Sequence, residues 1–277
     1  MEPNQELLDW VTGLRRWFHQ HPEPGFKETE TQNKVIQTLT ELGIEHRTIA
    51  RTGVVADIQG AKHRPCIALR ADMDALRISE PETEHNKAYR PKNEGFMHAC
   101  GHDGHMAMVL GAGRWLKEHQ DSVAGKVRLI FQPSEENLPG GAKTVIEQGG
   151  LDKVDAIVCI HLLGQAELGE FRFRPGPFLA HTSDWYLDIR GKAGHHMAPQ
   201  KCIDPIMIAS RFTATVQNDI KARFAPDEVY VLGFGTINGG TQYNQTPEQV
   251  SMSGSFRSFS TETSGVIEQT MRLNLDG

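Results

Sequence analysis

Residues 97–105 read Met-His-Ala-Cys-Gly-His-Asp-Gly-His, and the rest of the chain can be interpreted outward from this stretch. Within nine residues it places one thiol, three imidazoles and one carboxylate beside two glycines. A divalent metal such as zinc accepts sulfur, nitrogen and oxygen ligands of these kinds. The alternative is a turn that leads into a helix and carries incidental histidines. The combination of ligand types favours a metal site.

The composition of the 277-residue chain is that of an ordinary globular protein, with 38% hydrophobic and 23% charged residues. Its length allows two domains and a substantial core. The formal net charge is −6, and the 29 basic residues form no long run, which argues against a nucleic-acid partner. No apolar segment approaches the roughly 20 residues needed to cross a bilayer. The first residues lack the basic and apolar regions of a secretory signal, so we expect no membrane partner.

The four cysteines are Cys66, Cys100, Cys159 and Cys202, and no two of them form a Cys-x-x-Cys pair. This usage is typical of reduced thiols, and we expect a cytoplasmic protein. Cys66 and Cys159 lie inside apolar runs, which predicts small buried side chains. Only Cys100 has polar neighbours.

Helices and strands alternate through the first two thirds of the chain. Apolar residues at helical spacing predict helices over 6–20, from about 28 to Gly43, over 104–118 and over 142–148. Short apolar runs predict strands over 53–58, 66–69, 127–131 and 156–160. This alternation predicts an α/β fold with a mixed, partly parallel sheet and helices on both faces.

Polar side chains follow three of these predicted strands. They are Asp72 and Asp74, then Glu135 and Glu136, then His161. In such sheets, ligands collect just beyond the carboxyl ends of the strands. We therefore expect these side chains to converge with Cys100 and His102 on one site.

The pattern changes from about residue 183. Strands are predicted over 185–189, 229–237 and 249–256, and helices over 204–223 and 261–273. The order strand, helix, strand, strand, helix begins a ferredoxin-like α+β unit that lacks its final strand. The predicted domains are therefore 1–182 and 183–277.

The adjacent carboxylates Glu135 and Glu136 suggest a division of roles. On an extended or turning backbone their side chains diverge, so one can bind metal while the other holds a water. A metal lowers the pKa of a bound water from 15.7 to roughly 7, and a neighbouring carboxylate can take the proton and return it to a leaving amine. Exposed Glu-Glu pairs are usually only solvated, but the position after a buried strand favours a catalytic role for this pair. A metal-bound water beside a carboxylate suits the hydrolysis of an amide.

Four motifs, in this order, resemble the amidohydrolase branch of the aminoacylase and carboxypeptidase metallopeptidases. They are Arg-Arg-Trp-Phe-His-Gln-His-Pro-Glu at 15–23, Arg-Ala-Asp-Met-Asp-Ala-Leu at 70–76, the stretch 97–105, and Phe-Gln-Pro-Ser-Glu-Glu at 131–136. That branch includes hippurate hydrolase, indole-acetyl-amino-acid hydrolase and N-acetyldiaminopimelate deacetylase. The resemblance covers nearly the whole chain. It implies a two-metal hydrolase of N-acyl amino acids or similar amides, whose catalytic domain is interrupted by a smaller dimerisation domain that forms a homodimer.

The resemblance also implies roles for residues of the first domain. The metal ligands are Cys100, His102, Glu136 and His161, and Glu135 is the general base. Asp74 matches a residue that supports the site, whereas Asp72 stands where more distant relatives have a histidine ligand. The side chains of His98, Asp103 and His105 fit either a supporting role or the start of a helix.

In the second domain, the segment 191–195 resembles a Gly-x-x-Gly-His motif whose histidine, here His195, reaches a substrate. Asn244 and Arg257 resemble residues that orient polar groups of the substrate. Without the resemblance, a turn histidine and a solvated strand arginine would be the simpler interpretation of His195 and Arg257.

The metal and the activity stay open at the level of sequence. Thiolate and imidazole favour zinc, manganese comes next, and the carboxylates are also compatible with cobalt or nickel. Relatives continue beyond the small domain and supply one more histidine ligand, whereas no histidine follows Arg257. We therefore expect the C-terminal part of the catalytic domain to be absent. The alternatives are an inactive metal-binding or dimerisation module and, less favoured, thiol catalysis by Cys100 with a histidine partner.

Overall fold

The computed structural model describes residues 4–275, which fall into two compact units. The first unit ends at Glu167 and the second begins at Leu168. The segment 168–180 contains neither helix nor strand. The domain boundary expected from the sequence, between residues 182 and 183, lies inside the first strand of the second unit. That strand begins with polar residues, so its apolar alternation becomes visible only at Trp185.

The first unit is built from four α-helices and five strands among the described residues. In chain order they are α1 (Gln5–Gln20), α2 (Thr29–Glu41), β1 (Glu45–Ile49), β2 (Gly53–Gln59), β3 (Cys66–Asp72), α3 (His102–Glu118), β4 (Lys126–Gln132), α4 (Ala142–Glu147) and β5 (Ala156–Cys159). Asn4 caps α1, because its side-chain oxygen accepts a hydrogen bond from the amide of Leu7 at 2.9 Å. Gly43, just beyond α2, has a φ of +64°, which suits a glycine that ends a helix.

The five strands form one mixed sheet in the order β1-β2-β4-β3-β5. Strand β3 is parallel to β4 and β5, whereas β1, β2 and β4 pair antiparallel. The prediction of a partly parallel sheet is therefore confirmed. Strand β1 was not predicted, because only its last residue, Ile49, is buried and its other residues are mostly polar.

Helices cover both faces of this sheet, because successive side chains of β2 pack alternately against helices on opposite faces. Val54 and Ala56 belong to a core cluster that includes Phe18 of α1 and Leu39 of α2. The residue between them, Val55, belongs to a second cluster that contains Val145 of α4. Fully burying side chains of this size stabilises a fold by about 1.5–3 kcal/mol each, so the two clusters fix the register of the sheet.

The described part of the second unit, residues 168–275, contains three long strands, two short strands and two α-helices. They are β6 (His181–Arg190), β7 (Gly194–His195), α5 (Pro205–Lys221), β8 (Tyr230–Gly239), β9 (Gln245–Thr246), β10 (Gln249–Ser258) and α6 (Thr261–Leu273). The long strands form an antiparallel sheet in the order β6-β10-β8, and β7 pairs with β9. The predicted order strand, helix, strand, strand, helix is thus present, with the β7–β9 pair added to it.

Two further observations bear on the sequence predictions. Cys66 is buried as expected, but Cys159 is exposed, which contradicts the prediction for that residue. It lies on β5, an edge strand whose residues are all exposed. Among residues 4–275, no helix has the length and apolar character required to span a membrane.

Candidate metal centre

The carboxyl ends of three neighbouring strands meet at one edge of the first sheet. Strand β3 lies between β4 and β5 and is parallel to both, so all three end on the same side. Asp72 is the last residue of β3, which is three residues longer than predicted. The residues after β4 include Glu135 and Glu136, and His161 follows β5.

The start of helix α3 brings the 97–105 stretch to the same edge. Gly101 has a φ of +85°, a left-handed conformation that glycine adopts without strain. The helix then begins at His102, two residues earlier than predicted. Cys100 therefore lies two residues before the first residue of the helix, and the buried ring of His102 lies in the first helical turn.

The structure brings three of the predicted ligands into one cluster and places the fourth, His161, against one of them. One ligand atom each from Cys100, His102 and Glu136 lies within 4.8 Å of the other two. Nε2 of His102 is 3.7 Å from Oε1 of Glu136, and Sγ of Cys100 is 3.3 Å from Nε2 of His161. Ligand atoms around one tetrahedral zinc ion are separated by roughly 3–4 Å, as its bond lengths require.

The hydrogen bonds at Nδ1 of the two histidines leave the lone pair of each Nε2 available for a cation: Nε2 of His102 has no partner among residues 4–275, and Nε2 of His161 faces Sγ of Cys100, another predicted ligand. Nδ1 of His102 lies 2.8 Å from the carbonyl oxygen of Asp74, and Nδ1 of His161 lies 2.7 Å from the carbonyl oxygen of Leu162. A carbonyl oxygen can only accept, so Nδ1 carries the hydrogen in both rings. In the neutral ring, Nε2 then presents its lone pair, which is the arrangement typical of metal-binding histidines.

Asp74 organises the turn that carries the two glutamates. Its carboxylate accepts the backbone amide of Glu135 at 2.8 Å and that of Glu136 at 3.0 Å. The preceding residue, Ser134, has a φ of +48°. The carboxylate of Glu136 lies with the ligand cluster, whereas the side chain of Glu135 is exposed beside it. The two side chains therefore diverge, as expected from their adjacency.

Negative charge dominates the electrostatics of this edge. Burial, followed by the neighbouring carboxylate of Glu136, raises the pKa of the Cys100 thiol to about 12. Partial desolvation beside the ligand cluster, followed by the charges of Glu136 and Asp72, also raises the pKa of Glu135, although its side chain is largely exposed. Burial acts to lower the pKa of His102, but Asp74 and Asp72 outweigh it and raise that pKa. All three shifts indicate a site that favours positive charge.

These residues fit a divalent metal ion. Nε2 of His102 and Oε1 of Glu136 are buried and have no hydrogen-bond partner among residues 4–275, although such groups are costly to bury unpaired. A cation would satisfy both atoms and would stabilise the thiolate of Cys100. Without a cation, the raised pKa keeps Cys100 protonated, which argues against thiol catalysis.

Two of the other polar residues of the 97–105 stretch form hydrogen bonds with residues outside the ligand cluster. Asp103 is bound to Nδ1 of His19 and to Nε of Arg15, each at 2.8 Å. His105 is bound to Asp72. Both ring nitrogens of His98 are buried without a partner in the described part of the chain. Of the three side chains left undecided by the sequence, two therefore support the start of α3 through long-range contacts.

The predicted substrate-binding residues lie in the second unit. His195 is on β7, and Asn244 directly precedes β9, which pairs with β7. The amide of His196 donates to the carbonyl oxygen of Asn244 at 3.3 Å, so the two segments are adjacent. Arg257 is exposed on β10, in the other sheet of this unit. Their role towards a substrate stays a prediction.

Sequence reasoning missed two residues that shape the site. Glu28, in front of α2, accepts the backbone amide of Ser134 at 2.8 Å, and the amide of Leu162 donates to Nε2 of His105 at 2.9 Å. Neither contact has a local sequence signal, because the partners are 106 and 57 residues apart.

Known proteins resemble this chain in sequence. The family model described as Peptidase family M20/M25/M40 matches residues 68–264. "IAA-amino acid hydrolase ILR1-like 4" from Arabidopsis thaliana is 42% identical over 260 residues, covering 93% of this chain and 58% of that protein. "N-acetyl-L-cysteine deacetylase" from Bacillus subtilis is 41% identical over 260 residues, covering 94% of this chain and 62% of that protein. The chain thus spans about three fifths of the length of these relatives.

One solved structure resembles this chain in both fold and sequence. It is a dinuclear metal-binding peptidase of the M20 family from Bacillus subtilis, with a TM-score of 0.82 and 34% identity, covering 98% of this chain and 70% of that one. The family model alone matches more than half of the 277 residues. The chain therefore belongs to peptidase family M20/M25/M40.

Proposed function

We propose that this chain carries the metal centre of an amidohydrolase that cleaves the amide bond of an N-acyl amino acid or a similar small amide. The observation that carries the proposal is the cluster of Cys100, His102 and Glu136, with the carboxylate of Glu135 on the same turn. The names of two relatives, an IAA-amino acid hydrolase and an N-acetyl-L-cysteine deacetylase, support this substrate class.

Cys100, His102, Glu136 and His161 would hold divalent metal, with two ions in a complete site. The similar Bacillus subtilis protein, a dinuclear metal-binding peptidase, supports that number. Thiolate and imidazole ligands favour zinc, with manganese next and cobalt or nickel also compatible. When bound, the metal would supply a Lewis acid and lower the pKa of a water into the neutral range.

Glu135 is the proton carrier in this mechanism. In the metal-free protein the pKa of its carboxylate is raised, and a general base works best when its pKa lies near the working pH. Because Asp74 fixes the backbone amides of both glutamates, Glu135 is held beside Glu136 and the ligand cluster. It takes a proton from the attacking water and delivers it to the amine that leaves, while Asp74 positions this turn and, through its carbonyl oxygen, the ring of His102.

His195 is suited to donate a hydrogen bond to a substrate. Its Nδ1 accepts the backbone amide of Met197 at 3.1 Å, so the neutral ring carries its hydrogen on Nε2. This is the opposite arrangement to that of His102, whose Nε2 is a free acceptor. The exposed ring of His195 would bind a substrate oxygen, and Asn244 and Arg257 would orient other polar groups of the substrate.

The decisive variant is Glu135→Gln, which keeps the shape of the side chain and removes its basicity. We expect the rate of hydrolysis of N-acetyl and N-benzoyl amino acids to fall about 10²–10⁴-fold, while zinc content measured by elemental analysis stays unchanged. Glu84→Gln is the matched control, because Glu84 is 86% exposed and forms an ion pair with the neighbouring Lys87. Full activity of Glu135→Gln would remove this glutamate from the mechanism.

The runner-up is an inactive metal-binding or dimerisation module. It predicts zinc binding without hydrolysis of any amide in the panel. Thiol catalysis by Cys100 predicts activity that survives a strong chelator and is lost in Cys100→Ser. The amidohydrolase predicts activity that is lost on chelation and restored by zinc or manganese.

We further propose that the second unit forms a homodimer. Large apolar side chains on its outer strands support this, since Tyr186, Val231 and Ile237 are all more than half exposed. Light scattering after size-exclusion chromatography should give twice the chain mass, and Val231→Asp should give the monomer. A cytoplasmic location is proposed from the cysteines, all four of which are free.

A further inference from the structure

A second group of possible ligands lies beside the candidate metal centre. One atom each from Asp72, His102 and His105 lies within 4.8 Å of the other two, and all three residues are buried. Spacing alone would allow this group to bind an ion as well. The hydrogen bonds distinguish its members: Nε2 of His102 has no hydrogen-bond partner among the described residues, whereas both ring nitrogens of His105 have one.

The protonation of the His105 ring follows from its two partners. Nε2 of His105 accepts a hydrogen bond from the backbone amide of Leu162 at 2.9 Å, and an amide can only donate. Nδ1 must therefore carry the hydrogen, which it donates to Oδ1 of Asp72 at 2.7 Å. The ring is neutral, and neither nitrogen has a lone pair left for a metal.

The partner of His105, Asp72, is itself held by hydrogen bonds to residues of the sheet. Nη1 of Arg70 donates to Oδ2 of Asp72 at 2.7 Å, and the same guanidinium donates to Oε1 of Gln132 through Nη2 at 2.9 Å. Arg70 and Asp72 are both on β3, and Gln132 ends β4. Both oxygens of Asp72 are thus engaged, so its carboxylate can orient the His105 ring.

The other end of this series of hydrogen bonds is Leu162, the residue next to His161. Leu162 packs against the start of α3, where a Cβ atom on Gly101 would lie 3.2 Å from Cβ of Leu162. Its carbonyl oxygen accepts Nδ1 of His161 at 2.7 Å. The ring of His161 lies 4.8 Å from that of His105, and its Nε2 is 3.3 Å from Sγ of Cys100.

His161 needs such support because its strand gives it little. It follows β5, an edge strand whose four residues are all exposed. Ile160 and Leu162, on either side of His161, are nearly half exposed as well. A side chain in such a segment has many accessible conformations, and fixing one of them costs entropy. The amide of Leu162 is therefore the point at which the buried part of the unit can hold this segment.

We propose that His105 is a positioning residue, which places His161 in the metal centre through the hydrogen bond between its Nε2 and the amide of Leu162. Asp72 fixes the ring of His105 in the required tautomer, and Arg70 fixes Asp72. This inference rests on the proposed function, because it takes His161 as a metal ligand. It divides the imidazoles of α3 by role, with His102 binding metal and His105 supporting a ligand from another strand.

The test measures zinc affinity by competition with a chromophoric chelator. In His105→Asn the amide can still donate to Asp72 from near the position of Nδ1, but nothing replaces the acceptor for Leu162. We expect the dissociation constant for zinc to rise about 10–100-fold, as is typical when a group that orients a metal ligand is removed. His105→Gln extends an amide oxygen towards the position of Nε2 and should recover part of the affinity.

A double-mutant cycle shows whether His105 acts through His161. In the His161→Ala background, His105→Asn should cause no further loss of zinc affinity, because the ligand that it positions is gone. His119→Asn is the control, since His119 follows the opposite end of α3, roughly 21 Å from His105 along the helix axis. Thermal melts of the metal-free proteins verify that each variant folds.

The outcomes separate this inference from the proposed function. Unchanged zinc affinity in both Cys100→Ser and His102→Ala would overturn the metal centre itself. If those two variants lose affinity, either an unaffected His105→Asn or an equal loss in the His161→Ala background would overturn only the positioning role of His105.

Discussion

The buried carboxylate of Glu28 accepts a hydrogen bond from the backbone amide of Ser134 at 2.8 Å. Its other oxygen accepts the hydroxyl of Thr52. Ser134 has a φ of +48°, a conformation that is costly for a residue with a Cβ atom. It also directly precedes the two glutamates of the site. Glu28 therefore holds a strained turn that positions Glu135 and Glu136.

Glu28→Ala should destabilise the first unit by about 1–3 kcal/mol, because it leaves the buried amide of Ser134 and the hydroxyl of Thr52 without an acceptor. Urea denaturation at pH 7 measures this. In Glu28→Gln the amide oxygen can still accept from Ser134. Burial raises the pKa of Glu28 by penalising its charged form, and the neutral amide avoids that penalty. We expect Glu28→Gln to lie within about 1 kcal/mol of the parent protein; an equal loss in both variants would contradict the assigned role.

Asp74→Asn should lower activity without unfolding the protein. An asparagine accepts only one of the two backbone amides, from Glu135 and Glu136, that the carboxylate accepts now. Its amide group would face the other N–H, so the turn shifts. We expect kcat to fall about 10–100-fold, with KM for an N-acyl amino acid less affected. Asp121→Asn, on the exposed segment after α3, is the control. Unchanged kcat in Asp74→Asn would show that the turn is held by other contacts.

His98 should make the protein sensitive to acid. Burial lowers its pKa from 6.5 to about 4. Between these two values the unfolded state binds more protons than the folded state, so stability falls as the pH drops through this window. The unfolding free energy changes by at most about 1.4 kcal/mol per pH unit for one titrating group. His98→Leu should therefore show a flatter dependence of the unfolding free energy on pH between 6.5 and 4.

Denaturation curves at several pH values in that window test the role of His98. His85→Leu is the matched control, because His85 is exposed and its loss should leave the slope unchanged. An identical slope in His98→Leu and the parent protein would mean that other groups set the acid sensitivity.

Much of the fold could be predicted because its signals are local. The alternation of strands and helices predicted the mixed sheet, and the rule of strand ends predicted that Asp74, Glu136 and His161 would meet at one edge. The start of α3 was placed two residues late, because a glycine pair looks like a loop until its backbone angles are known. Strand β1 was missed since it is mostly polar and takes its place only by pairing with β2.

The supporting contacts could not be predicted in the same way. Glu28 and Ser134 are separated by 106 residues, and His105 and Leu162 by 57. Each pair involves a backbone amide, which carries no side-chain signal in the sequence. The sequence thus revealed which groups have metal-binding chemistry, whereas only the structure showed which of them have a free lone pair.

Metal removal should destabilise the first unit, because the proposed ligands join the start of α3 to the segments that follow β4 and β5. At a free zinc concentration of 100 times the dissociation constant, binding stabilises a protein by about 2.7 kcal/mol. A strong chelator should therefore lower the melting temperature measured by circular dichroism, and zinc should restore it. Magnesium should not, since thiolate and imidazole bind it poorly. The double variant Cys100→Ser with His102→Ala should melt at the same temperature with and without chelator. If it responds to the chelator as strongly as the parent protein, zinc binds elsewhere in the chain.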